Sequence, residues 1–120
     1  MTIELHAVTV DAADPRRLAE FWSAMLGYKV VYDSPEEVAI QKPDDSGPEV
    51  LFGKNPDTKS VKNRIHFDLS PSDQAAEVER ALSLGATHVD IGQGDDPEAT
   101  WTVLADPEGN EFCILGPRPA

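Results

Sequence analysis

Cysteine, basic residues and long apolar stretches are all scarce in this chain of 120 residues, and each scarcity excludes a class of protein. The single cysteine, Cys113, cannot form an intrachain disulfide and excludes a Cys-x-x-Cys zinc or redox motif. No apolar run is long enough to cross a bilayer, and the N-terminal residues lack the basic start and apolar stretch of a signal peptide. We therefore expect a cytoplasmic protein in a reducing compartment, with no membrane partner.

The shortage of basic residues leaves a strongly acidic chain. It has 22 acidic and 10 basic residues, which give a formal net charge of -12. This charge repels phosphate backbones, so we expect no nucleic-acid partner. An acidic field favours a cationic ligand, but the simpler interpretation, which we prefer, is that the charge keeps the domain soluble.

The segment from Asn63 to Leu69 has the clearest period-two pattern in the sequence. Ile65, Phe67 and Leu69 alternate with a polar row that contains His66, and a strand of this kind packs its apolar face on helices. The polar face is then open to a wet cavity or a ligand. His66 has two interpretations: a structural histidine hydrogen-bonded along its own strand, or a functional base, ligand donor or substrate contact.

Two helices are predicted from capping signals and apolar spacing. The first begins at Asp14-Pro15 and ends at Gly27, with an inner stripe that includes Phe21 and Trp22. The second is expected to begin at Ser70-Pro71, with Asp73 closing a capping box, and to end at Gly85. Its predicted inner stripe is Ala75, Val78 and Leu82.

The two halves of the chain repeat one plan of strand, helix and three strands. At this length the chain suits one domain, and each half is too small to bury its own sheet. We predict an α+β fold over 1–120, with module one at about 1–54 and module two at about 62–116. The two βαβββ modules are expected to form a curved mixed sheet around a cavity, with the helices outside.

Four motifs, in order and at consistent spacing, resemble those of the glyoxalase, bleomycin-resistance and ring-cleaving dioxygenase superfamily, also called vicinal oxygen chelate proteins. The resemblance covers essentially the whole chain, and is greatest to small glyoxalase-like proteins. The motifs are Asp14 with Phe21-Trp22 and Leu26-Gly27, then Arg64-Ile65-His66-Phe67-Asp68-Leu69, Leu84-Gly85-Ala86, and Asp106-Pro107-Glu108-Gly109-Asn110.

The resemblance implies a divalent metal held by one His or Glu from each of four inward-facing strands. His66 matches one ligand position, but its counterpart in module one is Ala7, with His6 off by one residue. The position on the last strand is Cys113, which is either an atypical thiolate ligand or a small buried hydrophobe. With this incomplete ligand set we assign no metal ligand and no certain cofactor, and a divalent metal stays an open alternative.

The resemblance also implies a small-molecule ligand and a homodimer. We expect His66 and Glu111 to act as the catalytic pair on a small oxygenated substrate, as a lyase, isomerase or dioxygenase would. The alternative is a protein that sequesters its ligand without chemistry, which the acidic charge and the missing ligands also suit. The substrate-binding residues are predicted to be Arg64, Asp68, Trp101 and Cys113.

Overall fold

A computed structural model of the chain describes residues 3–55, 65–89 and 101–116. The chain divides into two compact units, Met1–Thr58 and Lys59–Ala120, here called the N-terminal and the C-terminal unit. Arg64 lies outside the described residues. No helix of the described ranges is long and apolar enough to cross a membrane.

The N-terminal unit is a four-stranded mixed sheet with one helix. Its elements are β1 (Ala7–Ala12), α1 (Pro15–Leu26), β2 (Lys29–Asp33), β3 (Glu37–Gln41) and β4 (Glu49–Lys54). The strand order is β1-β4-β3-β2, in which β1 runs parallel to β4 and the other pairs are antiparallel.

The C-terminal unit repeats this architecture. Its elements are β5 (Phe67–Leu69), α2 (Gln74–Leu84), β6 (Thr87–His88), β7 (Thr102–Ala105) and β8 (Glu111–Ile114). The order β5-β8-β7-β6, with only β5 and β8 parallel, reproduces the N-terminal sheet strand for strand. The predicted α+β class with two βαβββ modules is confirmed.

The first helix begins and ends where the capping residues in the sequence indicated. The Asp14 side chain accepts a hydrogen bond from the Arg17 backbone N–H, and Pro15 occupies the first helical position. Gly27 ends the helix with a φ of 69°, in the left-handed region where a side chain is disfavoured. Phe21 and Trp22 are buried, and their rings meet edge to face at 5.2 Å.

The second helix begins later than the sequence predicted. Asp73, expected inside the helix, is itself the N-cap and accepts from the Ala76 N–H, so the helix begins at Gln74 and not at Ser70-Pro71. The predicted inner stripe is only partly buried. Ala81 is the buried residue of this helix, Val78 and Leu82 of the predicted stripe are half-buried, and Ala75 is exposed.

Each sheet has a buried apolar row through its central strands. In the N-terminal unit Ile40 and Phe52 are fully buried on β3 and β4, which α1 contacts. In the C-terminal unit Leu104 and Phe112 are direct partners on β7 and β8, and both are fully buried. Contact of α2 with β8 includes a hydrogen bond from the Gln74 side chain to the Ile114 carbonyl.

The strand that opens the C-terminal unit is shorter than predicted. Ordered pairing with β8 starts at Phe67, which lies opposite Phe112. Ile65 precedes this pairing, so it is not on the core face as predicted but is 73% exposed.

The turn between β7 and β8 is built around a buried carboxylate. Asp106 is only 3% exposed, and its Oδ1 accepts hydrogen bonds from the backbone N–H groups of Glu108 and Asn110 at 2.9 and 3.0 Å. The Asn110 side-chain amide donates to both carboxylate oxygens. This turn fixes where β8 starts, and therefore where Glu111 lies.

Substitution of Asp106 by alanine should destabilise the C-terminal unit clearly. The change leaves several turn donors without their charged acceptor, which costs about 2–3 kcal/mol of unfolding free energy. Denaturant titration followed by circular dichroism measures the loss. The matched control is Asp44→Ala, because Asp44 accepts a hydrogen bond from the Ser46 N–H in an exposed turn. This variant should unfold at the same denaturant concentration as the wild type. Equal destabilisation by the two substitutions would contradict this role of Asp106.

Candidate functional site

One face of the C-terminal sheet carries the polar residues that the sequence pattern singled out. Cys113 lies at the middle of this face, with Asp68 of β5 as its Cα partner on one side and Val103 of β7 on the other. Glu111 is two residues earlier on β8, on the same face, opposite Ala105. The intervening residue, Phe112, points to the opposite, core face.

These side chains surround a cavity of about 350 Å³ within the C-terminal unit. It is lined by His66, Asp68, Trp101, Val103, Glu111, Cys113 and Leu115. A cavity of this volume is at the small end of ligand pockets in proteins. Five of the six residues predicted for the site therefore line one cavity, and the sixth is Arg64, outside the described range.

The polar wall of the cavity centres on an imidazole and a carboxylate. The His66 Nε2 atom is 3.2 Å from Asp68 Oδ1, and the two side chains are 46% and 54% exposed. This separation suits a hydrogen bond that orients the ring, and it equally suits two ligands of one cation. Both side chains are accessible to a ligand that enters from solvent.

The thiol of Cys113 belongs to the same cluster. One donor atom from each of His66, Asp68 and Cys113 lies within 4.8 Å of the other two. The cysteine itself is buried, at 9% exposure, because it lies on β8, which is flanked by β5 and β7. The structure thus brings an imidazole, a carboxylate and a thiol together.

Glu111 adds a second carboxylate to the cavity. The residue is half-buried, and its Oε2 atom is shielded from solvent. Trp101 immediately precedes β7 and is 39% exposed, so its ring offers an aromatic surface to the cavity. A carboxylate and an accessible indole in one cavity suit a ligand with a positive or hydrogen-bond-donating group.

Two lining residues were missed by sequence reasoning. Val103 and Leu115 contribute the apolar wall, and each follows Trp101 or Cys113 by two residues along a strand. The period of two in β7 and β8 was the signal that could have identified them.

The equivalent face of the N-terminal unit has fewer donor groups. Matching Val8 and Val10 to Phe67 and Leu69 makes Ala7 the counterpart of His66. The parallel registers then make Leu51 the counterpart of Cys113. His6 precedes β1, and its Nε2 atom is 3.8 Å from a carboxylate oxygen of Glu49.

Two βαβββ modules with a cavity on one sheet face are what the sequence resemblance implied, and comparison with known families agrees. The family model described as Glyoxalase-like domain matches residues 7–115. The chain therefore belongs to the glyoxalase-like domain family. A comparison with curated proteins found no match.

Solved structures share this fold at low sequence identity. A glyoxalase/bleomycin resistance protein/dioxygenase family enzyme from Burkholderia phytofirmans is 19% identical, with a TM-score of 0.73 over 95% of this chain and 98% of that one. The fosfomycin resistance protein FosX from Listeria monocytogenes, complexed with Mn(II) and a dihydroxypropylphosphonic acid, is 15% identical, with a TM-score of 0.72 over 98% and 92% of the two chains. The bleomycin-binding protein from Streptomyces verticillus, complexed with copper(II)-bleomycin, is 13% identical, with a TM-score of 0.61 over 98% and 99%.

The His and carboxylate ligand set that the superfamily resemblance implies does not fit the described residues. His66 is in place, but the position on β8 is the thiol of Cys113. The counterparts of these two residues in the N-terminal unit, Ala7 and Leu51, have no donor atom in their side chains. We derive no catalytic step through a metal held in that way.

Proposed function

We propose that this chain binds a small oxygenated organic molecule in the cavity of the C-terminal unit. The observation that carries the proposal is the division of the cavity wall into a polar side, with His66 and Glu111, and an apolar side with Trp101. Small-molecule sites in proteins combine such an apolar wall with a few polar groups that orient the ligand.

In this proposal the polar residues have separate roles. His66 accepts or donates the proton at the ligand's oxygen, with its ring oriented by Asp68 at 3.2 Å. Glu111 is the second acid–base group, because its carboxylate reaches the cavity from a partly buried position. Cys113 and Arg64 complete the ligand-binding set, Arg64 on the strength of its place in the predicted strand alone.

A second function is favoured by the acidic character of the cavity. Asp68 and Glu111 line the same cavity as the exposed indole of Trp101, and carboxylates and aromatic faces both attract an organic cation. The chain would then sequester a cationic compound without changing it, as the net charge of -12 also favours. Bleomycin is the obvious probe, since a protein of the same fold binds it.

Isothermal titration of the whole chain with catechol, lactate and metal-free bleomycin tests both functions. Binding of an oxygenated probe, lost in His66→Ala but not in the matched variant His88→Ala, supports the first; His88 is exposed on β6. Binding of bleomycin alone, with its NMR spectrum unchanged after incubation, supports sequestration. Absence of binding by every member of an extended panel of both classes would contradict the proposal.

We also propose, from the family resemblance, that residues 1–120 work as one domain in a cytoplasmic homodimer. Light scattering after size-exclusion chromatography distinguishes a dimer from a chain of 13.0 kDa. A single monomer peak at micromolar concentration would contradict the dimer.

A further inference from the structure

We propose that Cys113 is a nucleophile that captures an α,β-unsaturated carbonyl compound covalently, with His66 as the base that takes the thiol proton. This capture rests on the proposed function, since the compound must first occupy the cavity of the C-terminal unit. Cys113 is the single cysteine of the chain, so every thiol adduct can be assigned to it.

The thiol of Cys113 has an imidazole and a carboxylate beside it. One donor atom from each of His66, Asp68 and Cys113 lies within 4.8 Å of the other two, and the His66 Nε2 atom is 3.2 Å from Asp68 Oδ1. A thiol near an imidazole that a third group orients is the arrangement of a nucleophilic cysteine. The contact between nucleophile and base is often longer than a hydrogen bond until a ligand is bound.

The backbone directs the thiol into the cavity. Asp68 and Val103 are the Cα partners of Cys113 on the two flanking strands, so all three side chains leave the same face of the sheet. Cys113 is only 9% exposed, yet it lines the cavity together with the apolar side chains of Val103 and Leu115. This wall suits the carbon skeleton of an unsaturated carbonyl compound, and the imidazole of His66 suits its oxygen.

The carboxylates of the cavity favour one route for the thiol proton. Asp68 and Glu111 line the same cavity, and negative charges near a thiol oppose a free thiolate while they stabilise an imidazolium. The proton is therefore expected to pass to His66 as the new bond forms, as in general-base catalysis.

The capture is an addition in which atoms and electrons balance. The Cys113 sulfur forms a bond to the β-carbon of the compound, and the π electron pair of the C=C bond moves towards the carbonyl oxygen to give an enolate. The proton held by His66 is then returned to the α-carbon. The product is a saturated carbonyl compound joined to the chain as a thioether, and no oxidant or reductant takes part.

Without this chemistry Cys113 would be a small buried side chain that only packs against its neighbours. A buried thiol of that kind is inert in the folded chain and reacts faster once the chain is unfolded. A thiol with a base beside it and a cavity in front of it should show the opposite order of rates.

Mass spectrometry of the whole chain incubated with cyclohex-2-enone tests the proposal. We expect one adduct per chain, located at Cys113 by peptide mapping, with a rate that saturates as the enone concentration rises. The rate in the folded chain should exceed the rate in the urea-unfolded chain by about tenfold or more. A rate in the folded chain at or below that of the unfolded chain would overturn the proposal.

Variants separate the role of the base from ligand binding. His66→Gln keeps a hydrogen-bonding side chain but has no base, so it should lower the rate at saturating enone by about a hundredfold. His88→Gln, on exposed β6, is the matched control and should react as the wild type does. An unchanged saturating rate in His66→Gln would overturn the role of His66.

The saturated analogue cyclohexanone distinguishes failure of the capture from failure of the proposed function. Cys113→Ala should form no adduct with the enone, but isothermal titration should still show that it binds cyclohexanone. Cyclohexanone binding with no adduct in the wild-type chain would overturn the capture alone. Absence of both the adduct and cyclohexanone binding in the wild-type chain would overturn the capture together with the cavity as the site for this class of compound.

Discussion

Phe112→Ala should lower the free energy of unfolding by about 3–5 kcal/mol, whereas Cys113→Ala, one residue further along β8, should lower it by less than about 1.5 kcal/mol. Phe112 is fully buried between its partners Phe67 and Leu104 on the core face of the sheet, so its removal leaves a cavity that neighbours on three strands cannot fill. Cys113 faces an existing cavity, and the substitution by alanine removes only its thiol group.

Urea denaturation of the two variants, measured in the absence of metal ions, gives both free energies. A loss of 3–5 kcal/mol is a large part of the stability of an ordinary domain, so Phe112→Leu is a useful intermediate variant that keeps most of the buried volume. Equal losses for Phe112→Ala and Cys113→Ala would mean that the two side chains do not occupy opposite faces.

Leu115→Trp should weaken binding of the proposed ligand while the fold is kept. Leu115 lines the apolar wall of the cavity, and it is half-buried, so a larger side chain there extends into the space that the ligand needs. A ligand that must displace the indole loses about 1–3 kcal/mol of binding free energy, which weakens affinity by about ten- to a hundredfold.

The matched control for this variant is the same substitution at Leu84, at the end of α2, where the side chain is 36% exposed. Titration calorimetry with the probe that binds wild-type protein measures the effect. Unchanged affinity in Leu115→Trp, with weakened affinity in Leu84→Trp, would place the ligand outside this cavity.

Local sequence signals were enough for the class of fold and for the first helix. Asp14, Pro15 and Gly27 each act through contacts within a few residues, so their effects can be read from the chain directly. The same reasoning failed at the second helix because two candidate starts, Ser70-Pro71 and Asp73, lie within one turn. Which of them caps the helix depends on how the helix packs, and no local pattern contains that information.

The polar face of the strand was predictable from the residues alone, whereas the grouping of Cys113 with that face came only from the family resemblance. Alternation along one strand put His66 and Asp68 together, since residues two apart share a face. Their proximity to Cys113 depends on the pairing of β5 with β8, whose partners Asp68 and Cys113 are far apart in sequence. For the same reason the sequence could not show that pairing begins at Phe67, which leaves Ile65 exposed.

The central claim is that successive residues of β8 alternate between the cavity face and the core face of the sheet. The most direct test is the labelling rate of single cysteines by a small methanethiosulfonate reagent in native buffer, followed by mass spectrometry. The comparison is with a cysteine at the next position, in the double variant Cys113→Ala, Ile114→Cys. Native Cys113 should be labelled much faster than this cysteine, because Ile114 is 1% exposed on the core face. In denaturant both should react at the same rate. Native labelling that is as fast at position 114 as at Cys113, in folded protein, would contradict the account.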